Sequence, residues 1–199
     1  MIKLGITGGI GSGKTSVCKV FNLLGIPVFS ADAEAKEIME VDADIISKLN
    51  AIAGKDLYVK GMLDRAELAT LIFNNRSMLE KVNSVVHPAV FGKFCEWAKK
   101  QEAPYVIMEA AILFESGGSK IVDRIVTVTA PVEERIERVI VRSSLTKDEV
   151  MERIKNQTTD SDKIKQSDYI IDNSENKMII PAILTIHNHI LETLVTRNQ

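Results

Sequence analysis

The chain has 199 residues, 45% apolar and 26% charged, with 25 Lys and Arg against 27 Asp and Glu. At roughly 150 residues per domain, this length suits one core carrying an insertion or lid better than two independent units, and so ordinary a composition excludes disordered, fibrous and repeat architectures. A net charge of −2 gives no global attraction for nucleic acid or an anionic membrane, and neither is expected as a partner.

Cys18 and Cys95 lie far apart, with no second Cys or His at metal-ligand spacing, and read as reduced thiols of a cytoplasmic protein. Neither a signal-peptide apolar region nor a membrane-spanning helix is expected. Ile2 to Ile6 is too short for the first, and stretches such as Val106 to Phe114 are interrupted by Glu109 and fall short of the ~18 residues a span requires.

Ile2 to Ile6 reads as a strand running into Thr7-Gly8-Gly9, after which Val17, Val20, Phe21 and Leu24 have the spacing of one helix face. Gly25 is placed to close that helix in a left-handed conformation, and Ile26 to Phe29 reads as a second strand. From Ala33 to Pro104 only helical periodicities are expected, with no strand. Capping pairs at Asp64/Glu67 and Ser77/Glu80 punctuate them, and Pro88 suits the first turn of a new helix. Some seventy helical residues between two strands exceed a crossover connection, which implies an inserted helical subdomain. Tyr105 to Met108, Arg124 to Ala130 and, more weakly, Tyr169 to Asp172 are further strands, and Ile179 to Val195 is a closing amphipathic helix. Continuous apolar runs indicate strands covered on both faces, the habit of a parallel sheet between helices, so the fold class is α/β.

Gly8-Gly9-Ile10-Gly11-Ser12-Gly13-Lys14-Thr15 satisfies G-x-x-x-x-G-K-[ST] between a predicted strand and a predicted helix, the context this phosphate-binding motif demands. Glycines let backbone N–H groups turn inward around a phosphate, and the helix N-terminus adds a positive dipole end. Lys14 would reach the β- and γ-phosphates, and the Thr15 hydroxyl would serve Mg²⁺.

Three classes of nucleotide-using protein then compete. A GTPase needs D-x-x-G and N-K-x-D, but no Asp has Gly three residues on, and Asn176-Lys177 continues into Met178-Ile179. A transporter-type ATPase would place its serine-glycine-glycine signature before the strand ending at Glu109, whereas Ser116-Gly117-Gly118 follows it and reads as a turn. A small-molecule kinase needs an acceptor-activating carboxylate, a substrate subdomain and an arginine-bearing lid. Asp32, closing the second strand, fits the first need, and its other reading is an N-cap for the helix containing Ala35, Ile38 and Met39. Arg135, Arg138 and Arg142, at i, i+3 and i+7, form a cationic stripe beside the anchoring Ile136, Val139 and Ile140, with Glu134 placed to pair with Arg138. The stripe is either a solvated face or a lid that closes over transferring phosphate.

Taken together, these residues resemble the dephospho-CoA kinase family over nearly the whole chain. Thr7 through Lys14 match T-G-G-I-G-S-G-K, and Ser30-Ala31-Asp32 matches an acidic motif usually written D-A-D, with Ser for the leading Asp. Arg65, Leu68 and Phe73 match R-x-x-L-x-x-x-[IV]-F, and His87-Pro88 matches an H-P pair. Ala111 through Glu115 stand for P-L-L-F-E without its proline. Arg135, Arg138 and Arg142 stand for Q-x-x-R-x-x-x-R with Arg for Gln. Arg153, Ile154 and Gln157 match R-I-x-x-Q, and Ser167-Asp168 through Asn173 match A-D-x-[VI]-I-x-N.

The resemblance implies transfer of the ATP γ-phosphoryl group to the ribose 3′-hydroxyl of dephospho-CoA by a P-loop core, residues 1–32 and 105–199. It also implies a helical acceptor-binding insertion, 33–104, and a lid at about 133–165. Asp32 would be the general base, with Lys14, Arg138 and Arg142 as the other catalytic groups. Gly9, Ile10, Gly11, Ser12, Gly13, Lys14, Thr15, Ser16 and Asn173 would bind ATP, and Thr15 would also bind Mg²⁺. Arg65 and His87 would join Asp32 on the acceptor side. The expected partners are ATP and dephospho-CoA, and the expected state is a monomer or weak homo-oligomer. Another metabolite or nucleotide kinase and a nucleotide-dependent switch protein remain the competing readings.

Overall fold

A computed structural model describes residues 1–73, 75–143 and 145–197. Position 144, inside the expected lid, and positions 198–199 at the end of the expected core lie outside the described residues. The strands are β1 (Ile2–Thr7), β2 (Val28–Ser30), β3 (Tyr58–Val59), β4 (Met62–Leu63), β5 (Tyr105–Glu109), β6 (Arg124–Thr129) and β7 (Tyr169–Asp172). The helices are α1 (Lys14–Leu23), α2 (Ala31–Val41), α3 (Ala43–Ala53), α4 (Arg65–Phe73), α5 (Arg76–Lys99), α6 (Val132–Arg142), α7 (Lys147–Lys155), α8 (Asp160–Lys165) and α9 (Ile179–Arg197). The chain divides into two compact units, Met1–Ser30 with Lys100–Gln199, and Ala31–Lys99.

The first unit is built on a five-stranded sheet in the order β2-β5-β1-β6-β7, every neighbouring pair parallel. Burial of both faces explains why its strands read as continuous apolar runs. Leu4, Ile6, Ile107 and Val126 pack beneath α1 and α9, which contribute Phe21 and Ile186 to the same core. On the opposite face Gly5 leaves room for Leu113, whose Cδ2 would lie 2.7 Å from a Cβ at that position. α1 closes as the sequence predicts. Gly25, at φ 80°, lets its own N–H reach the Asn22 carbonyl (3.0 Å) and the Ile26 N–H reach the Phe21 carbonyl (3.1 Å), the paired bonds of a Schellman cap. That cap uses the Ile26 amide, and Pro27 has none, so β2 starts at Val28 rather than Ile26. α9 carries an 18-residue stretch, Ile179–Thr196, apolar enough to cross a membrane by length and composition, which the sequence reading did not expect. Its Ile183, Ile186 and Ile190 are buried in this core.

The second unit holds α2 to α5 and a hairpin that the sequence reading missed. Tyr58 pairs with Leu63 and Val59 with Met62. Lys60 (φ 52°) and Gly61 (φ 80°) form the left-handed two-residue turn between them. The hairpin is anchored by the Tyr58 hydroxyl donating to the Met39 carbonyl (2.6 Å) and the Leu63 N–H donating to Glu40 (3.1 Å). The Asp64/Glu67 cap forms, the Glu67 N–H donating to Asp64 Oδ1 at 3.0 Å. The Ser77/Glu80 cap does not: α5 already begins at Arg76, and Asn75 Oδ1 accepts the Met78 N–H instead (3.0 Å). α5 then runs unbroken through Pro88, so His87 and Pro88 lie mid-helix rather than at a helix start.

Candidate active site

β1 delivers the chain at Thr7 into the turn Gly8–Gly13, which enters α1 directly. Gly13 caps that helix with φ 92°, and no side chain hydrogen-bonds the first turn's amides. A Cβ at this position would be strained by the backbone and would lie 3.3 Å from Asn173 Cγ, with the amide nitrogen nearer still. The N-terminal turn of α1 and the positive end of its dipole face the same space, an arrangement that attracts an anion. Within the loop the Ser12 hydroxyl is buried without a hydrogen-bond partner, an orphan that a phosphate oxygen would satisfy. Asn173, beyond the end of β7, donates through Nδ2 to the Ser12 carbonyl (2.8 Å) and so ties the last sheet strand to the loop.

Lys14 turns its ammonium back onto the loop, donating to the carbonyls of Gly8 (2.9 Å) and Gly9 (3.4 Å). The exposed Thr15 donates its hydroxyl to Glu109 Oε1 at 3.0 Å. Glu109 ends β5 and was not among the residues the sequence reading singled out. The available signal was an acidic residue closing an apolar strand in a chain that also carries the glycine motif, the position from which nucleotide-binding proteins of this type hold a metal. A hydroxyl and a carboxylate are hard oxygen donors that fit Mg²⁺. Among the described residues no group of three or more His, Cys, Asp or Glu forms a self-sufficient metal site, so an ion here would draw its other ligands from phosphate oxygens and water.

The three arginines of the stripe meet three different environments. Arg135 is 3% exposed, donating through Nε to the Ile10 carbonyl (2.9 Å) and through Nη1 to Asp160 (2.6 Å). Arg138 is half-buried and pairs with Glu134 at 2.8 Å as expected, and its Nη1 is buried with no hydrogen-bond partner. Arg142 is exposed at the end of α6. Of the expected anchors, Ile136 and Val139 are buried with Val150 of α7, but Ile140 is 40% exposed. Arg135 and Arg142 lie only about 20° apart around the helix, so their different burial arises along its axis: Arg135 sits against the glycine loop and Arg142 at the C-terminal end of α6. Gln157, after α7, accepts the Ile10 N–H at 2.9 Å. Glu115, which the sequence pattern singled out, accepts the Thr158 N–H at 2.7 Å and lies 3.7 Å from the fully buried Lys163 ammonium. Burial pushes the Glu115 carboxyl upward, but the Thr158 hydrogen bond and Lys163 outweigh it and hold it below the usual carboxylate range. Burial lowers the Lys163 ammonium's pKa from its ordinary value.

The remaining expected residues belong to the second unit. Asp32 is exposed in the first turn of α2. Because α2 starts at Ala31, Asp32 lies inside the helix, which removes its N-cap reading. Arg65 donates to Glu40 at 2.9 Å, the carboxylate that also anchors the hairpin. His87 is half-buried beside Phe91, their rings 6.2 Å apart, and burial lowers its pKa, favouring the neutral imidazole.

Parallel sheet, glycine turn and the Lys14-Thr15-Glu109 group together place the protein in the class of P-loop nucleotide-binding proteins. The dephospho-CoA kinase family model matches residues 2–178, and the chain belongs to that family. Its sequence is 38% identical to the dephospho-CoA kinase of Bacteroides fragilis (strain YCH46) over 186 residues, 93% of this chain and 91% of the relative. It is 35% identical to that of Porphyromonas gingivalis over 198 residues, covering 99% and 96%. Among solved structures it is similar to TT1252 from Thermus thermophilus, with a TM-score of 0.82, 33% identity and 97% of each chain covered.

Proposed function

We propose that the protein transfers the γ-phosphoryl group of ATP to the ribose 3′-hydroxyl of dephospho-CoA, giving coenzyme A and ADP. The observation that carries this is the uncapped N-terminus of α1 with Lys14 and Thr15 on its first turn, in a chain that belongs to the dephospho-CoA kinase family. On the donor side the loop from Gly9 to Ser16 wraps the triphosphate, which takes amides of the loop other than that of Ile10, already bonded to Gln157. Lys14 exchanges the Gly8 and Gly9 carbonyls for β- and γ-phosphate oxygens, and Asn173 supports Ser12 behind them. Thr15 and Glu109 would hold Mg²⁺, which would neutralise phosphate charge during the transfer.

On the acceptor side Asp32 takes the proton of the 3′-hydroxyl as its oxygen attacks in line, and Arg65 and His87 belong to the acceptor-binding insertion at 33–104. The core is 1–32 with 105–199. Its lid, about 133–165, brings Arg138 and Arg142 over the transferring group, whose spread negative charge guanidinium groups bind well. The unpartnered Arg138 Nη1 supports its place there, and the exposure of Arg142 leaves it free to engage. The protein acts in the cytoplasm as a monomer or weak homo-oligomer, without nucleic acid or membrane as partner. Family membership does not favour the other kinase or switch-protein readings.

The test is ADP release from Mg-ATP with and without dephospho-CoA, with mass spectrometry of the product. Acceptor-dependent ADP at ordinary enzyme rates, with coenzyme A formed, is expected. ATP binding without any coenzyme A would reject the named acceptor.

A further inference from the structure

The two peptide units that flank Ile10 in the glycine loop are each held by a side chain from outside the loop. The Ile10 N–H donates to Gln157 Oε1 at 2.9 Å, and the Ile10 carbonyl accepts from Arg135 Nε at 2.9 Å. Both side chains come from the region assigned to the lid. Arg135 cannot swing away freely, because its guanidinium is buried and its Nη1 is fixed on Asp160 at 2.6 Å. The backbone of the same residue also presses on the loop, its carbonyl carbon lying 2.9 Å from where a Cβ on Gly11 would sit.

Resting on the reading of this loop as the ATP site, we propose that Arg135 and Gln157 are positioning residues of the nucleotide site, and that the seat of Arg135 is what restricts position 9 to glycine. A carbonyl facing the triphosphate would repel it, and a free glycine-rich loop can rotate its peptides to present one. Pinning Ile10 at both its N–H and its carbonyl holds that carbonyl on Arg135 and preorganises the neighbouring amides for the anion.

Gly9 carries the distinguishing observation. It is not among the glycines with positive φ, so its backbone conformation does not demand glycine, and the motif itself tolerates any residue at that position. A Cβ there would nevertheless lie 2.5 Å from Arg135 Cζ and 2.8 Å from its Nη1. The excluded volume is therefore set by a tethered side chain of α6.

The experiment is isothermal titration of Mg-ATP into the full-length protein and its variants Gly9→Ala, Arg135→Ala, the double variant and Gln157→Leu, with melting temperatures and the steady-state KM for ATP and for dephospho-CoA recorded in parallel. Gly9→Ala is expected to weaken ATP binding about tenfold in the parent but less than about twofold in the Arg135→Ala background, since touching residues couple and independent ones add. Gln157→Leu is expected to raise the KM for ATP about fivefold, leaving the KM for dephospho-CoA and the melting temperature near those of the parent. Equal Gly9→Ala effects in both backgrounds, or a Gln157→Leu protein that melts earlier yet binds ATP normally, would overturn the proposal. If Arg135→Ala does not fold because Asp160 loses its partner, Arg135→Gln, which also removes the guanidinium beside Gly9, replaces it in the cycle. A parent protein that binds no ATP would refute the functional reading itself, a result separate from any of these.

Discussion

Asp32 is exposed in the first turn of α2 and has no cap to make, so its carboxylate is available for chemistry. Asp32→Asn keeps the shape but cannot accept the hydroxyl proton. Turnover should fall by roughly 10²-fold or more while ATP affinity stays near that of the parent, measured by ADP release and titration. An equally active variant would remove Asp32 from the mechanism. Glu115 makes a prediction about pH. Its folded carboxyl lies below its unfolded value, so its contribution to stability is fully present above the ordinary carboxylate pKa of about 4.3 and is lost as pH falls through the lower folded value. Glu115→Gln should therefore cost about 1 kcal/mol above pH 5, with the difference from the parent shrinking toward pH 3 in urea unfolding. A difference independent of pH would mean that the carboxylate charge is not what Thr158 and Lys163 stabilise.

At the scale of elements, α5 shows where local signals and tertiary structure part. Ser77/Glu80 and Pro88 each read as a helix start, yet one helix spans Arg76–Lys99 because α2, α3 and α4 all pack along it. Pro88 has no N–H to give the Ser84 carbonyl its helical donor. Since Pro88 is exposed, Pro88→Ala restores a backbone donor without removing packing. It should stabilise the protein by about 1–2 kcal/mol, read as a raised melting temperature. No gain would mean that the neighbouring helices packed along α5, rather than the missing backbone donor, set its stability at this point. The β3–β4 hairpin was missed for a different reason. Its strands have two residues each, too short for alternation to register, and the only local sign was Gly61 in a two-residue turn between apolar pairs.

For the whole molecule, the chain divides into Met1–Ser30 with Lys100–Gln199 and Ala31–Lys99, and the proposed assignment of ATP to the first unit and dephospho-CoA to the second is open to test. In hydrogen exchange, Mg-ATP alone should slow the amides of the glycine loop and the first turn of α1. Dephospho-CoA alone should slow amides within 31–99. Protection by dephospho-CoA confined to 1–30 and 100–199 would reject the insertion as the acceptor site. Ligand-linked stabilisation gives a second reading, about 2.7 kcal/mol at a ligand concentration a hundred times Kd.

What the sequence determined by itself is whatever depends on neighbours along the chain. The glycine motif between strand and helix, the Schellman cap at Gly25, the parallel strands with their continuous apolar runs and the Asp64 cap all follow from short-range geometry and period. Tertiary structure decided the rest, because it depends on which side chain meets which across long separations. Arg135, Arg138 and Arg142 are equivalent in spacing, yet Arg135 is buried against a loop some 125 residues earlier in the chain while Arg142 stays in solvent. Glu109 became a partner of Thr15 only when β5 came to lie beside β1, and Gln157 became a ligand of Ile10 only when the segment after α7 came back onto the loop. Periodicity records which face of an element is apolar, but not what a polar side chain finds when that face is packed.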